Sequence, residues 1–167
     1  MPNHNLKPVG QHAAPGGARL PGFGLVELLV TLVVLAIIMT LGAPAFRDMV
    51  MNNRATTHAN ELVSALKFAR SEAIRQGRNV SATVDHLDQG WMVRVVSQGE
   101  ALLELDRADS GVLVLGENDS VVTFGPTGTP AAGVNLNMQP VQCSKEQGRR
   151  IFIRPSGTVG VLRQECE

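Results

Sequence analysis

The chain has 167 residues, room for one compact domain and one appended element, so a second catalytic domain is not expected. Its 15 basic and 15 acidic residues balance, so net charge gives no reason to expect nucleic acid or an acidic substrate. The 17 Gly, 9 Pro and absence of Tyr suit a turn-rich β domain, and 44% hydrophobic content excludes wholesale disorder.

Residues 1–22 are rich in Gly and Pro, carry Lys7 and Arg19, and hold no acidic residue and no apolar run. From Phe23 to Ala43 the chain is apolar apart from Glu27 and two Thr. As a helix rising 1.5 Å per residue, that stretch would span about 32 Å, the thickness of a bilayer core. Positive charge ahead of the run orients the leader to the cytoplasm and the rest across the membrane. A secretory signal peptide is the competing reading, with Ala43-Pro44-Ala45 as a cleavage-like site. It accounts poorly for the helical pattern that follows. A carboxylate costs on the order of 3 kcal/mol at the centre of an apolar helix and less near its end, so Glu27 calls for a cationic partner.

Gly22-Phe23-Gly24-Leu25-Val26-Glu27 followed by an apolar run resembles the class III signal of type IV prepilins and type II secretion pseudopilins. The resemblance implies that a prepilin peptidase cuts after Gly22 and N-methylates Phe23. It also implies that Glu27, then the fifth residue, meets the N-terminal amine of an adjacent subunit. Pro44 falls where pilins often carry a helix-kinking proline. Residues 1–22 would be leader, 23–43 the membrane and assembly half of the helix, 44–77 its amphipathic half, and 78–167 a periplasmic domain. The leader is longer than that of many major pilins.

Between Ala45 and Gln76, apolar residues recur three or four apart from Phe46 and Met49 through Leu62 and Leu66 to Ala73 and Ile74, the spacing of one helix face. Arg75 and Gly77 suit a helix end. The stripe from Leu62 to Ile74 reads as core-facing.

Eight short β-rich runs follow: 79–84, 91–96, 101–105, 112–115, 120–124, 134–138, 149–154 and 158–163, nearly all separated by turn residues. Helix first and strands afterwards predicts an α+β, pilin-like fold, with an antiparallel sheet packed on the second half of the helix. Glu61 to Gly77 followed by such a domain is similar to the minor pilin and pseudopilin H group, the FimT/GspH-type proteins, closest in character to FimU-like minor pilins.

Residues that carry chemistry are sparse. His58 and His86 lie outside any metal-spacing motif, Asp85, His86 and Asp88 read as a solvated turn, and Gly125 to Pro130 lacks the Lys of a phosphate loop. No metal, cofactor or catalytic residue is expected. Cys143 and Cys166 look like a pair, a disulfide in an oxidising compartment and two thiols in the cytosol. The pilin resemblance favours the disulfide, clamping the final strands.

Arg150, Phe152 and Arg154 share one strand face and, with Arg149, could grip single-stranded nucleic acid by charge and stacking, or form the polar outside of a sheet. DNA-uptake relatives resemble one another in a Gly-Arg-x-Arg motif. Here the matching place reads Gly157-Thr158-Val159-Gly160, without either arginine. Losing the leader removes two of the 15 basic residues and no acidic one, so the mature chain would carry a net charge of minus two and would not be drawn to DNA.

The resemblance therefore implies a subunit incorporated into, or priming, a type IV pilus or type II secretion pseudopilus. Its expected partners are other minor and major pilins or pseudopilins, the prepilin peptidase, the inner-membrane assembly platform and, before assembly, the lipid bilayer. Its expected location is the inner membrane, single-pass, with the C-terminal domain in the periplasm, and then the filament.

Overall fold

The computed structural model describes residues 22, 24–115 and 120–167. The expected leader up to residue 21, and Phe23, lie outside the described residues. The chain divides into two compact units, Met1–Thr40 and Leu41–Glu167. Helix α1 (Leu25–Gln76) contributes to both, and Pro44 lies inside it.

The helix ends on a two-bond cap. The amide of Gly77, at φ 63°, donates to the Ile74 carbonyl at 3.3 Å, and that of Arg78 donates to the Ala73 carbonyl at 3.2 Å. These bonds satisfy carbonyls that a helix end otherwise leaves open, and glycine reaches the left-handed conformation without a Cβ clash.

Eight strands follow: β1 (Val80–Leu87), β2 (Gly90–Ser97), β3 (Glu100–Arg107), β4 (Val112–Leu115), β5 (Ser120–Phe124), β6 (Val134–Pro140), β7 (Gly148–Ile153) and β8 (Val159–Gln164). Each of the eight runs read from the sequence contains the greater part of one strand. They form two antiparallel sheets of four strands, ordered β3-β2-β1-β5 and β4-β6-β7-β8, where the sequence predicted one sheet. The split comes from β5 returning to pair with β1 while β6 pairs with β4. A period-two pattern marks strands without naming their partners.

Both sheets bury alternate residues in one core with α1. The helix supplies Ala59, Leu62, Leu66, Ala69 and Ala73, all at most 1% exposed, and the sheets supply Trp91, Val93, Phe124, Met138 and Ile151. Alanines every three or four residues let the backbone approach the sheets closely, while Leu62 and Leu66 fill the wider space.

The stripe read as core-facing, Leu62 to Ile74, departs from expectation at its last residue, and Phe46 and Met49, on the same periodic spacing, lie outside the core. Phe46 is 67% exposed, Met49 61% and Ile74 49%. Around Asp48 the domain offers the helix polar groups, so half-buried Asp48 and Asn52 lie toward the domain there together with the fully buried Ala55, while Phe46 and Met49 project away. Ile74 lies over Gly128 at the rim, where an added Cβ would come within 2.6 Å of its Cδ1.

Candidate functional site

In the first unit, α1 is an apolar rod with no covering. Leu25 is 79% exposed, Ile38 60% and Leu35 47%, and none of the most apolar window is buried. By length and composition the helix can cross a membrane. Its two hydroxyls are already satisfied, Thr31 Oγ1 donating to the Leu28 carbonyl at 2.7 Å and Thr40 Oγ1 to the Ile37 carbonyl at 2.8 Å. Neither leaves an open donor on the apolar surface. Glu27 sits in the first turn, where a carboxylate complements the helix dipole. Among the described residues it makes no ion pair. Gly22 and Gly24 precede the helix, and the Gly24 carbonyl accepts the first helical bond, from Leu28 N at 3.1 Å. Pro44 has no amide proton, so the Thr40 carbonyl lacks its usual helical donor.

In the second unit a polar latch holds the helix after Pro44. Ser144 Oγ donates to Asp48 Oδ1 at 3.3 Å, and Gln147 Nε2 donates to the Asp48 carbonyl at 3.2 Å. Arg149 Nη2 donates to Asn52 Oδ1 at 2.6 Å and to Thr56 Oγ1 at 2.9 Å. Cys143 and Cys166 form a disulfide, which closes the loop carrying Ser144 and Gln147. The Cys166 amide donates to the Lys145 carbonyl at 3.0 Å, and Glu167 exchanges hydrogen bonds with Gln139, so the tail lies back on β6.

Arg149 is therefore not where the sequence reading put it. It is 3% exposed, and its partners are helix side chains and the carbonyls of Glu146 and Gly148. Burial, with Arg163 nearby, lowers its pKa. Strand alternation is the reason: Arg150 and Phe152 face out, so Arg149 and Ile151 face in. Arg150 and Arg154 remain exposed, with the Arg154 guanidinium 5.3 Å from the Phe152 ring centroid. The Phe152 ring is already occupied, lying so close over its cross-strand partner Gly160 that a Cβ there would fall 2.4 Å from Cζ.

The turns at 125–129 and 154–158 share one construction. Phe124-Gly125-Pro126-Thr127-Gly128-Thr129 and Ile153-Arg154-Pro155-Ser156-Gly157-Thr158 repeat a Pro-[Thr/Ser]-Gly-Thr pattern and the same bonds. Gly125 N donates to the Thr129 carbonyl and Arg154 N to the Thr158 carbonyl; Gly128 N donates to the Gly125 carbonyl and Gly157 N to the Arg154 carbonyl. The hydroxyl pairs Thr127–Thr129 and Ser156–Thr158 lie 2.9 and 3.0 Å apart. The repeated Pro-x-Gly-Thr was the signal available in sequence.

A groove between α1 and β3 is lined by Ala65, Phe68, Leu103 and Leu105, with Glu61 and Arg107 among its polar groups. Arg107 Nε donates to Glu61 Oε2 at 3.0 Å, and His58 Nδ1 lies 3.1 Å from the same oxygen. Among the described residues no three His, Cys, Asp or Glu side chains are grouped as a metal would require.

A long helix with an uncovered apolar head, carrying antiparallel sheets on its second half, defines the pilin-like class. Residues 58–157 match the family described as type II transport protein GspH, and the chain belongs to that family. Its fold is similar to two crystal structures of the type IV minor pilin FimU of Pseudomonas aeruginosa strain PAO1. One matches at 21% identity and TM-score 0.52 over 64% of this chain and 91% of that one. The other matches at 21% identity and TM-score 0.55 over 66% and 89%. At that identity the likeness is one of fold. No curated protein matches the chain.

Proposed function

We propose that the chain is a minor pilin or pseudopilin, a structural subunit without enzymatic activity. It is made as a precursor, cut between Gly22 and Phe23, N-methylated at Phe23, and held in the inner membrane by its apolar run until it enters or primes a filament. Its C-terminal domain stands in the periplasm. The observation that carries this reading is the apolar surface of α1 from Leu25 to Met39, exposed throughout, with one carboxylate, Glu27, in the first turn. Lipid covers such a surface before assembly, and helices of other pilins or pseudopilins cover it afterwards, brought together by an assembly platform.

Glu27 then neutralises the new α-amino group of a neighbouring subunit or its own. Its position in the first turn, close to the cleavage point, supports that pairing. Glu27→Gln should leave cleavage and domain folding intact while reducing recovery of the subunit in the sheared filament fraction by roughly tenfold or more, the loss of a desolvated charge pair. Undiminished recovery would remove Glu27 from assembly. The DNA-uptake reading is the weaker one, because Arg149 is buried and the Phe152 ring is occupied.

A further inference from the structure

The two sheets turn opposite charges outward. On the first, Asp85, Met92 and Asp106 are direct cross-strand partners and so form one row. Burial alternates in β1 and β2, with Val84, Trp91 and Val93 inward, which puts Asp85 and Met92 on the outer face. Strands lie about 4.8 Å apart, so the row sets two carboxylates about 10 Å apart with a thioether between them. The next row adds Glu104, which accepts from Arg94 Nε at 3.0 Å, and Arg94 Nη2 also reaches Met92 Sδ at 3.9 Å. Among these described residues one base stands among three acids, which leaves the rows negative, and Asp106 Oδ1 also accepts from the Ala108 amide at 2.9 Å.

On the second sheet, Arg150 and Phe152 face out from β7 and Arg154 follows them. Arg150 and Arg154 stand about 13 Å apart along the strand with the ring between them. Neither guanidinium makes an ion pair among the described residues. The acid at the far end of this face, Glu167, accepts from Asn137 Nδ2 at 3.0 Å.

We propose that the Arg150–Phe152–Arg154 face of one copy docks on the Asp85–Met92–Asp106 face of a second copy of this chain. Acid, thioether, acid meets guanidinium, ring, guanidinium. The long arginine side chains take up the difference in spacing, and sulfur packs well at a ring edge. The faces differ, so the contact is heterologous: it does not close on itself about a twofold axis and continues from copy to copy. Nucleic acid fits less well, because it needs an open stacking platform and more than two cations.

The proposal rests on the subunit reading for its setting, but its test reads the domain faces, so the two can fail separately. The full chain in detergent micelles is followed by sedimentation velocity at low salt and at about 0.5 M salt, where screening cuts charge attraction at exposed faces. Association through the helices persists at high salt, and the salt-sensitive part reports the faces. Arg150→Glu with Arg154→Glu, and separately Asp85→Lys with Asp106→Lys, should each weaken that part at least about tenfold while thermal unfolding is unchanged. An equimolar mixture of the two variants should restore it, because each then meets a complementary face. Salt-insensitive association, variants that associate normally, or a mixture that does not recover would each overturn the proposal. So would a doubly reversed Arg150/Arg154 chain that loses only its retention of a single-stranded oligonucleotide.

Discussion

Arg70 and Gly128 are joined across the domain: Arg70 Nε on α1 donates to the Gly128 carbonyl at 2.8 Å. Gly157 faces the same place from the other sheet, and a Cβ on it would fall 2.1 Å from that carbonyl oxygen and 2.7 Å from Arg70 Nε. One guanidinium thus closes two equivalent turns, one from each sheet, onto the helix.

Gly157→Ala should destabilise the domain by about 3 kcal/mol or more, since φ is 79° and the clash is with backbone. Gly128→Ala, also at positive φ, meets mainly the flexible tip of Ile74 and should cost less, about 1–2 kcal/mol. Urea unfolding of the two variants should rank them in that order, and equal or reversed costs would refute the stacked-turn account.

Removing the disulfide by Cys143→Ser with Cys166→Ser should cost about 3 kcal/mol, the loop-entropy value for a sequence separation of 23. The loss should be uneven. Asp48, Asn52 and Thr56 are held by Ser144, Gln147 and Arg149, in or next to the closed loop, whereas Leu62 to Ala73 are held by the apolar core. Hydrogen exchange should therefore quicken at residues 48–56 well before 62–73. A uniform increase would mean that the latch does not depend on the loop.

Along the helix, Leu66→Ala should cost about 2–5 kcal/mol, because the side chain is fully buried. Phe46→Ala should change the unfolding free energy of the domain by no more than about 0.5 kcal/mol, since 67% of the residue is exposed. A large loss at Phe46 would mean that the core extends along α1 beyond the buried residues.

Hydrogen bonds from Arg107, with help from its charge and from His58, hold the Glu61 carboxyl below the usual carboxylate range despite some burial. A depressed folded-state pKa stabilises above the unfolded value and loses that contribution as pH falls through the folded value. With Glu61 about a third exposed, the pair is worth at most about 1 kcal/mol. Glu61→Gln should lower stability near neutrality and flatten the decline below about pH 4.5. An acid limb unchanged in the variant would show that Arg107 does not stabilise the carboxylate.

Much of this fold is legible in the sequence because its signals are local. Gly77 after Arg75 ends the helix, alternation marks the eight strands, and the change of period at Gly77 marks where helix gives way to sheet. What is not local stays hidden. The pairing of β1 with β5 and of β4 with β6 depends on contacts across the chain. Arg149 looks like another surface cation until alternation is anchored on a buried Ile151. Asp48 and Asn52 turn toward the domain because residues within the disulfide-closed segment, Ser144, Gln147 and Arg149, bring donors to them. The repeated Pro-[Thr/Ser]-Gly-Thr turns could have been found by comparing the chain with itself, but their junction at Arg70 is visible only in three dimensions.

The central claim is that this is a processed, helix-anchored subunit, and the intact mass of the membrane-extracted protein, produced with and without a prepilin peptidase, tests it most directly. The account predicts a chain beginning at N-methylated Phe23 only when the peptidase is present, and the full precursor without it. A peptidase-independent start near Ala45 would contradict it, because the apolar run would then be a discarded signal peptide and the domain a secreted one.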